Sequence, residues 1–269
     1  MLNVDKSIHL ATLVLKAGSA EKIFLLGSTQ AMRKTQSIFS TQMTPKHSVE
    51  YYYIMVLVQC NREQSNTALQ DKIETLCAAV VPTTAFVIDI ERFNDWLANG
   101  HPFACQVANA ATCLFDSLRS DLAEPGIIDQ ESVTKERQQL YCRAKNTIQG
   151  FLAGADLFRI RRQNQLAAFM LHQATEQTLL TILKLRTGLS VTSHNLDKLL
   201  RYCSMVSADV SDVFASNSLT DNRLLKLLQR AYIDSRYKPT YEISHVDLLT
   251  VTDKLRRLQN IAFADKVHM

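Results

Sequence analysis

An arginine among phenol side chains is the first feature of this sequence that suggests binding chemistry. Tyr232, Arg236 and Tyr237 stand at positions i, i+4 and i+5. On a helix they share one side, and Pro239 would end that helix soon afterwards. Tyr241 follows the turn. A guanidinium beside aromatic rings can hold a phosphate with two hydrogen bonds or stack on a nucleobase. The competing interpretation is a tyrosine-rich helix end that packs against its neighbours.

A polar pair on an earlier helical segment adds to this group. His172 and Glu176 are four residues apart, so on a helix they face the same way and can form a hydrogen-bonded pair. We predict that the ligand-binding residues are His172, Glu176, Tyr232, Arg236, Tyr237 and Tyr241. The structural alternative is a pair that fixes the bundle interior, for example by bonding Arg236. A zinc site is not expected, since H-x-x-x-E has no further ligand at metal spacing.

Helical patterns fill the second half of the chain and must position these residues. We predict helices over about 131–162, 164–187, 194–206, 219–237 and 244–266. Gly188 is expected to end the second helix, while Ser193 and Ser244 are expected to cap the third and the fifth. Residues 126–269 carry a net charge of +6, which suits phosphate binding as well as an ordinary solvated surface. The pattern predicts an antiparallel helical bundle.

The first half of the chain alternates between strand and helix patterns. Apolar runs predict three buried strands, at Lys22–Leu26, Tyr51–Val58 and Val80–Ile90. Helical patterns lie at about 67–77 and 91–99. The Pro-Gly segment 121–128 marks a boundary. We therefore predict an α+β chain of two domains, with an α/β sandwich over 1–125 and the helical bundle over 126–269.

Composition excludes several classes of protein. The chain has 269 residues, 46% of them hydrophobic. It shows neither a signal-peptide pattern at its start nor a window of about 18 apolar residues, so we expect a cytoplasmic protein without a membrane span. The six cysteines form no C-x-x-C pair. They are interpreted as small buried hydrophobes in a reducing compartment. We expect no metal and no cofactor.

Four sequence blocks in the second half resemble the HEPN domain. They are Phe169–Leu180, Leu185–Gly188, Ser193–Leu199 and Ala231–Tyr237, in that order. HEPN domains are helical modules of prokaryotic proteins that are often fused to a minimal nucleotidyltransferase. The resemblance implies a homodimer with polar residues along a cleft between the bundles. It further implies metal-independent RNA cleavage, nucleotide binding or a non-catalytic interaction role.

The spacing of arginine and histidine departs from the HEPN ribonuclease pattern, in which four to six residues separate them. Arg236 precedes His245 by eight intervening residues, and Arg186 precedes His194 by seven. We therefore expect a dimer that binds a nucleotide or RNA without turnover. One alternative is a metal-independent RNA endonuclease that uses Arg236 with His172 or His245. The other is a purely structural scaffold. His194 is expected to cap or pack at a helix start.

The first half resembles a nucleotidyltransferase that has lost its chemistry. Gly27-Ser28 after an apolar run resembles the Gly-Ser turn that approaches nucleotide phosphates in those enzymes. Tyr53 and Met55 stand where the following strand of such enzymes carries Asp-x-Asp. Asp89 matches a third carboxylate, but one acid cannot hold two hard cations. We expect a degenerate nucleotide site at Gly27, Ser28 and Asp89, and the alternative for Gly27-Ser28 is a simple tight turn.

Overall fold

The chain folds as two compact units, residues 1–128 and 129–269. The computed structural model describes residues 4–33, 46–60, 65–78, 80, 82–215 and 218–264. Over these ranges it contains ten helices and one four-stranded sheet. The predicted α+β composition, with a helical C-terminal region, is confirmed.

The N-terminal unit is built around a mixed sheet. Its elements are α1 (Val4–Ala17), β1 (Lys22–Arg33), β2 (Lys46–Val58), α2 (Asn66–Cys77), β3 (Thr83–Asp89), α3 (Ile90–Ala98), α4 (Pro102–Ala110) and β4 (Thr112–Asp116). The strand order is β3-β2-β1-β4. β2 and β3 are parallel, and the other neighbouring pairs are antiparallel. The three predicted strands are present, whereas α1, α4 and β4 were not predicted.

The central strand β2 is buried from Tyr52 to Val58, as its apolar run predicts. Every residue from Tyr52 to Val58 is buried. Ile54 and Val56 pack in a core cluster with α1 and α2, which also contains Leu10 and Ile73. A strand without a solvent-facing side needs apolar residues at successive positions. The sheet is therefore largely covered, as the sandwich prediction requires.

Gly27-Ser28 does not form the turn that the sequence suggested. Both residues lie inside β1, where Gly27 pairs with Tyr53 and Ser28 with Tyr52. The register shifts between Leu25 and Gly27, as in a β-bulge. A glycine inside a strand commonly marks such an irregularity rather than the strand end.

The C-terminal unit is wholly helical in its regular elements. They are α5 (Gln130–Ile160), α6 (Asn164–Thr187), α7 (Leu196–Ser204), α8 (Ala208–Ser211), α9 (Leu219–Tyr237) and α10 (His245–Phe263). α6 contacts α5, α7, α9 and α10 and is buried on nearly all sides. Side chains of α6 therefore have to find their partners inside the protein.

Two of the three predicted helix ends are confirmed. Gly188 ends α6 with a φ of 80°, the left-handed conformation that glycine adopts without strain. Ser244 caps α10, since its Oγ accepts a hydrogen bond from the Asp247 amide. The prediction for α7 was wrong. Asn195 is its cap, while Ser193, two residues earlier, accepts a hydrogen bond from the Asn195 amide through its Oγ.

The expectations about membrane spans and cysteines can also be compared with the structure. Over the described ranges, no helix combines the length and apolar character needed to cross a membrane. Cys77, Cys105 and Cys203 are buried free thiols. The other three cysteines are exposed, so the expectation that all six are buried hydrophobes was wrong for that half of them.

Candidate functional site

Helix α6 places His172 and Glu176 inside the bundle on one side of the helix. His172 is fully buried and Glu176 is 4% exposed. The His172 Nδ1 and Glu176 Oε2 atoms are 3.8 Å apart, which is too long for a hydrogen bond. The two residues are neighbours, as predicted, but they are not bonded to each other.

The hydrogen-bond partner of Glu176 is His194, in the segment between α6 and α7. His194 Nδ1 lies 3.0 Å from Glu176 Oε2. The side chain of His194 is 62% exposed, so this pair joins a buried carboxylate to the surface. Sequence reasoning gave His194 only a capping or packing role. Its place in the third of the HEPN-like blocks, Ser193–Leu199, was the available signal.

The ring of Tyr232, on α9, stacks against the rings of both histidines. Its ring centre lies 4.7 Å from the ring centre of His194, with an interplanar angle of 16°. The His172 ring is stacked on Tyr232 as well, at 5.1 Å and 29°. One phenol ring therefore contacts both the buried and the exposed imidazole.

Arg236 lies one helical turn after Tyr232 and is surrounded by aromatic rings. Its Cζ is 4.9 Å from the ring centre of Phe169 and 5.1 Å from those of Tyr232 and Tyr237. Nε donates to the Tyr232 carbonyl at 3.0 Å, and Nη2 donates to the same oxygen. Nη1 makes no hydrogen bond to any residue within the described ranges. Phe169 was not predicted, although it stands three residues before His172.

These seven residues form what we call the histidine–arginine cluster. Its members are Phe169, His172, Glu176, His194, Tyr232, Arg236 and Tyr237. The cluster has a buried floor around His172 and Glu176. Its exposed part consists of His194, Arg236 and Tyr237, the last of which is 71% exposed. The structure thus brings together five of the six predicted ligand-binding residues.

Burial controls the protonation of His172. It lowers the pKa of His172 from 6.5 to about 4, and the positive charge of Arg236, together with that of His194 whenever its ring is protonated, acts in the same direction. The main chain of His194 opposes this shift. His172 is therefore neutral at pH 7. The Gln173 amide nitrogen lies 3.3 Å from His172 Nδ1 and donates to it, so the ring proton resides on Nε2.

The Nε2 proton of His172 makes no hydrogen bond of normal geometry in the part of the chain that the structure describes, although the nearby main chain of His194 favours the protonated ring. A buried N–H without a partner is rare and costly in native proteins. Such a group is often completed by an ordered water or a ligand. It lies on the ring that stacks against Tyr232, at the floor of the histidine–arginine cluster.

Tyr241 was predicted to flank Arg236, but the structure places it elsewhere. Its side chain is fully buried, and its hydroxyl donates to the Leu227 carbonyl at 3.1 Å. The guanidinium over its ring belongs to Arg230, at 5.8 Å. Burial raises the pKa of Tyr241 above its ordinary value of 10.0. After Pro239 the chain returns along α9, which carries Tyr241 away from the helix end.

His245 also lies away from the cluster. It is the exposed first residue of α10, and Asp247 next to it is bonded to Arg223 near the start of α9. Arg236 stands thirteen residues after Arg223, which is about 20 Å along a helix. The structure therefore separates the Arg236–His245 pair of the ribonuclease alternative.

The three residues of the expected degenerate nucleotide site are separated too. Gly27 pairs with Tyr53 of β2, whereas Asp89 pairs with Val58. Five residues along a strand correspond to about 17 Å. Asp89 Oδ1 instead accepts a hydrogen bond from Asn66 Nδ2 at 3.2 Å. Gly27, Ser28 and Asp89 do not converge on one site.

Within the described ranges, no group of three or more histidine, cysteine, aspartate or glutamate side chains is arranged to hold a metal ion. In the histidine–arginine cluster the acidic residue is Glu176, whose Oε2 already accepts from His194. The cluster is thus an aromatic and cationic arrangement suited to a ligand that carries negative charge.

The helical unit and its cluster define a helical-bundle domain with a potential anion site, and comparison with known families identifies that domain. Residues 149–263 match the HEPN domain. The chain therefore contains a HEPN domain, and every member of the histidine–arginine cluster lies inside it. No family match supports the nucleotidyltransferase resemblance of the N-terminal unit. Comparison with curated proteins gave no match.

Proposed function

We propose that the HEPN domain binds a nucleotide or an RNA segment at the histidine–arginine cluster and does not turn it over. The principal support is the state of Arg236, an exposed guanidinium set among three aromatic rings, whose Nη1 has no hydrogen-bond partner among the described residues. A phosphate can be held by the guanidinium, and a nucleobase can stack on an aromatic ring or on the guanidinium plane.

Among the described residues, no acidic side chain neutralises the charge of Arg236, whereas the basic residues next to it are paired. Arg230 and Lys238 on either side each pair with Asp234, at 2.9 Å. Arg236 forms no ion pair with any residue in the described ranges. It is kept in place instead by the Tyr232 carbonyl and the surrounding rings. A cation that is positioned but not neutralised is suited to an anionic ligand.

The positions of the candidate bases favour binding over RNA cleavage. A general base has to reach the 2′-hydroxyl and needs a pKa near the working pH. His172 is fully buried, and its pKa is lowered to about 4. His245 lies close to Asp247, which is bonded to Arg223 near the start of α9. Arg236 stands about 20 Å further along that helix. Neither histidine of the endonuclease alternative meets these requirements.

Substitution of Arg236 by alanine is expected to weaken nucleotide or RNA binding by roughly 10- to 100-fold. Hydrogen bonds to charged groups contribute about 1.5–3 kcal/mol, and tenfold in affinity corresponds to about 1.4 kcal/mol. Arg236→Lys keeps the charge but loses the planar fork, so we expect an intermediate affinity. The measurement is fluorescence anisotropy of the full chain with labelled ATP and a short single-stranded RNA, in EDTA.

Arg256→Ala is the matched control, since Arg256 is an exposed helical arginine paired with Asp253. Its affinity for either probe should equal that of the wild type. An equal loss in both variants would mean that general charge, not the cluster, holds the ligand. Cleavage of the RNA by the wild type in EDTA would favour the endonuclease alternative. If neither probe bound or raised the melting temperature at large excess, the scaffold alternative would replace this proposal.

For the N-terminal unit we retain a nucleotidyltransferase-like domain without chemistry as a proposal. Its support is that β2 carries no carboxylate from Tyr51 to Val58 and is buried from Tyr52 to Val58. The strand thus has neither the acids nor the exposure that two-metal phosphoryl transfer needs. The unit would then have a structural or interaction role.

A homodimer through the helical unit also remains a proposal, which is supported by the HEPN resemblance. Exposed apolar side chains on α5 and α10, among them Ile160 and Val246, are compatible with a covered surface. Light scattering of the full chain during size-exclusion chromatography would measure its mass. A mass of 30.4 kDa at all concentrations would contradict the dimer.

A further inference from the structure

We propose that His194 makes the histidine–arginine cluster selective for ribonucleotides over deoxyribonucleotides. Its Nε2 accepts a hydrogen bond from the ribose 2′-hydroxyl, while Arg236 holds a phosphate of the same nucleotide. This inference rests on the proposed binding function and extends it to recognition of the ribose.

The hydrogen bond to Glu176 determines which nitrogen of His194 is free. An ionised carboxylate can only accept, so the contact of 3.0 Å between Oε2 and Nδ1 places a proton on Nδ1. In the neutral imidazole the other nitrogen, Nε2, is then an acceptor. It has no hydrogen-bond donor among the described residues.

His194 is unusually well fixed for a residue whose side chain is 62% exposed. Its ring is bonded to the buried Glu176 and lies nearly parallel to Tyr232. Its carbonyl accepts a hydrogen bond from Gln229 Nε2 at 3.1 Å, and Gln229 Oε1 in turn accepts from the Leu196 amide at 2.6 Å. Side chain and main chain are thus both held by neighbouring helices. Such preorganisation lowers the cost of ordering a residue when a ligand binds.

The acceptor and the cation are close enough for one nucleotide. The His194 ring centre and Arg236 Cζ lie 4.7 Å and 5.1 Å from the centre of the same Tyr232 ring. A nucleotide carries its sugar hydroxyls and its phosphate on one ribose. The 2′-hydroxyl is the group by which proteins tell RNA from DNA. A site with a fixed acceptor for a hydroxyl rejects the analogue that lacks it, because the acceptor is then left unpaired.

The direct test compares AMP with 2′-deoxy-AMP and 3′-deoxy-AMP by isothermal titration calorimetry on the full chain at pH 8. The wild type should bind AMP about tenfold more tightly than 2′-deoxy-AMP, and should bind 3′-deoxy-AMP about as tightly as AMP. His194→Ala should abolish this ratio, because AMP then loses its advantage over 2′-deoxy-AMP. His245→Ala, an exposed histidine outside the cluster, should keep the wild-type ratio.

Glu176→Gln provides a second variant that retains His194. The new carboxamide can donate to Nδ1, so the proton can move to Nε2 and remove the acceptor. The AMP preference should then fall towards one. Nitrogen-15 NMR should find His194 protonated on Nδ1 in the wild type and on Nε2 in the variant. If Glu176 had only a structural role, its replacement would not change which ring nitrogen of His194 carries the proton.

The outcomes separate this inference from the proposed function. If the wild type bound AMP and 2′-deoxy-AMP equally, the role of His194 would be refuted while nucleotide binding stood. An unchanged preference in His194→Ala, or a wild-type His194 protonated on Nε2, would refute it as well. If none of the three bound and RNA did not bind either, the proposed function would fail together with it.

Discussion

Acidification from pH 7 to pH 4 is expected to reduce the free energy of unfolding of the helical unit by about 3 kcal/mol through His172 alone. Burial lowers the pKa of His172 from 6.5 to about 4 in the folded protein. When the chain unfolds, the imidazole returns to water and to its ordinary pKa. The difference between the two pKa values sets the size of the effect.

The direction of the change in stability follows from the number of protons that the folded and unfolded chains bind. Between about pH 4 and pH 6.5 the unfolded chain binds a proton at His172 and the folded chain does not. Stability therefore rises with pH across this window, is complete above it and is lost as the pH falls through it. Asp234 and Asp247 have lowered pKa values because of their basic partners. The stability that these two carboxylates contribute is lost only below their ordinary pKa of 3.8. Between about pH 4.5 and 6.5, we therefore expect the change in stability to come from His172.

Urea unfolding of the full chain, followed by far-UV circular dichroism at pH 7 and pH 5, would measure this effect. His172→Gln should flatten the dependence in this window, and the exposed His245→Gln should not change it. Trp96, the single tryptophan, lies in the N-terminal unit. Its fluorescence should therefore report a transition that does not depend on His172. Equal pH dependence in the wild type and His172→Gln would contradict the prediction.

Local patterns in the sequence predicted the helices and the side on which His172 and Glu176 lie. A period of 3.6 residues and the ends at Gly188 and Ser244 are local signals, and they were sufficient. The contact between Glu176 and His194 was not predictable in this way. His194 lies in an irregular segment eighteen residues further along the chain, and no periodicity describes the path of such a segment.

Two errors have the same origin in non-local structure. Gly27-Ser28 was interpreted as a turn, since glycine marks turns and bulges alike. Only the pairing of β1 with β2 shows that it lies inside a strand. The half-exposed β4, Thr112–Asp116, has neither a buried run nor a clear alternation. It is a strand because β1 offers it an edge.

Replacement of Tyr241 by alanine is expected to destabilise the helical unit by about 3–5 kcal/mol, as for other large buried aromatic residues. The side chain is fully buried, so its loss leaves a cavity beside α9. Tyr241→Phe removes only the hydroxyl bond to the Leu227 carbonyl and should cost about 1 kcal/mol. Urea unfolding monitored by circular dichroism would measure both values.

Tyr237→Ala is the counterpart that separates stability from binding. Tyr237 is 71% exposed and contacts Arg236, so its loss should change stability by less than about 0.5 kcal/mol and weaken nucleotide binding. Tyr241→Phe should show the opposite pattern, with lower stability and wild-type affinity. Weakened binding in a folded Tyr241→Phe protein would restore the ligand role that the sequence suggested for Tyr241. Because the two tyrosines are only four residues apart, this comparison tests the path of the chain after Pro239 as well as the membership of the cluster.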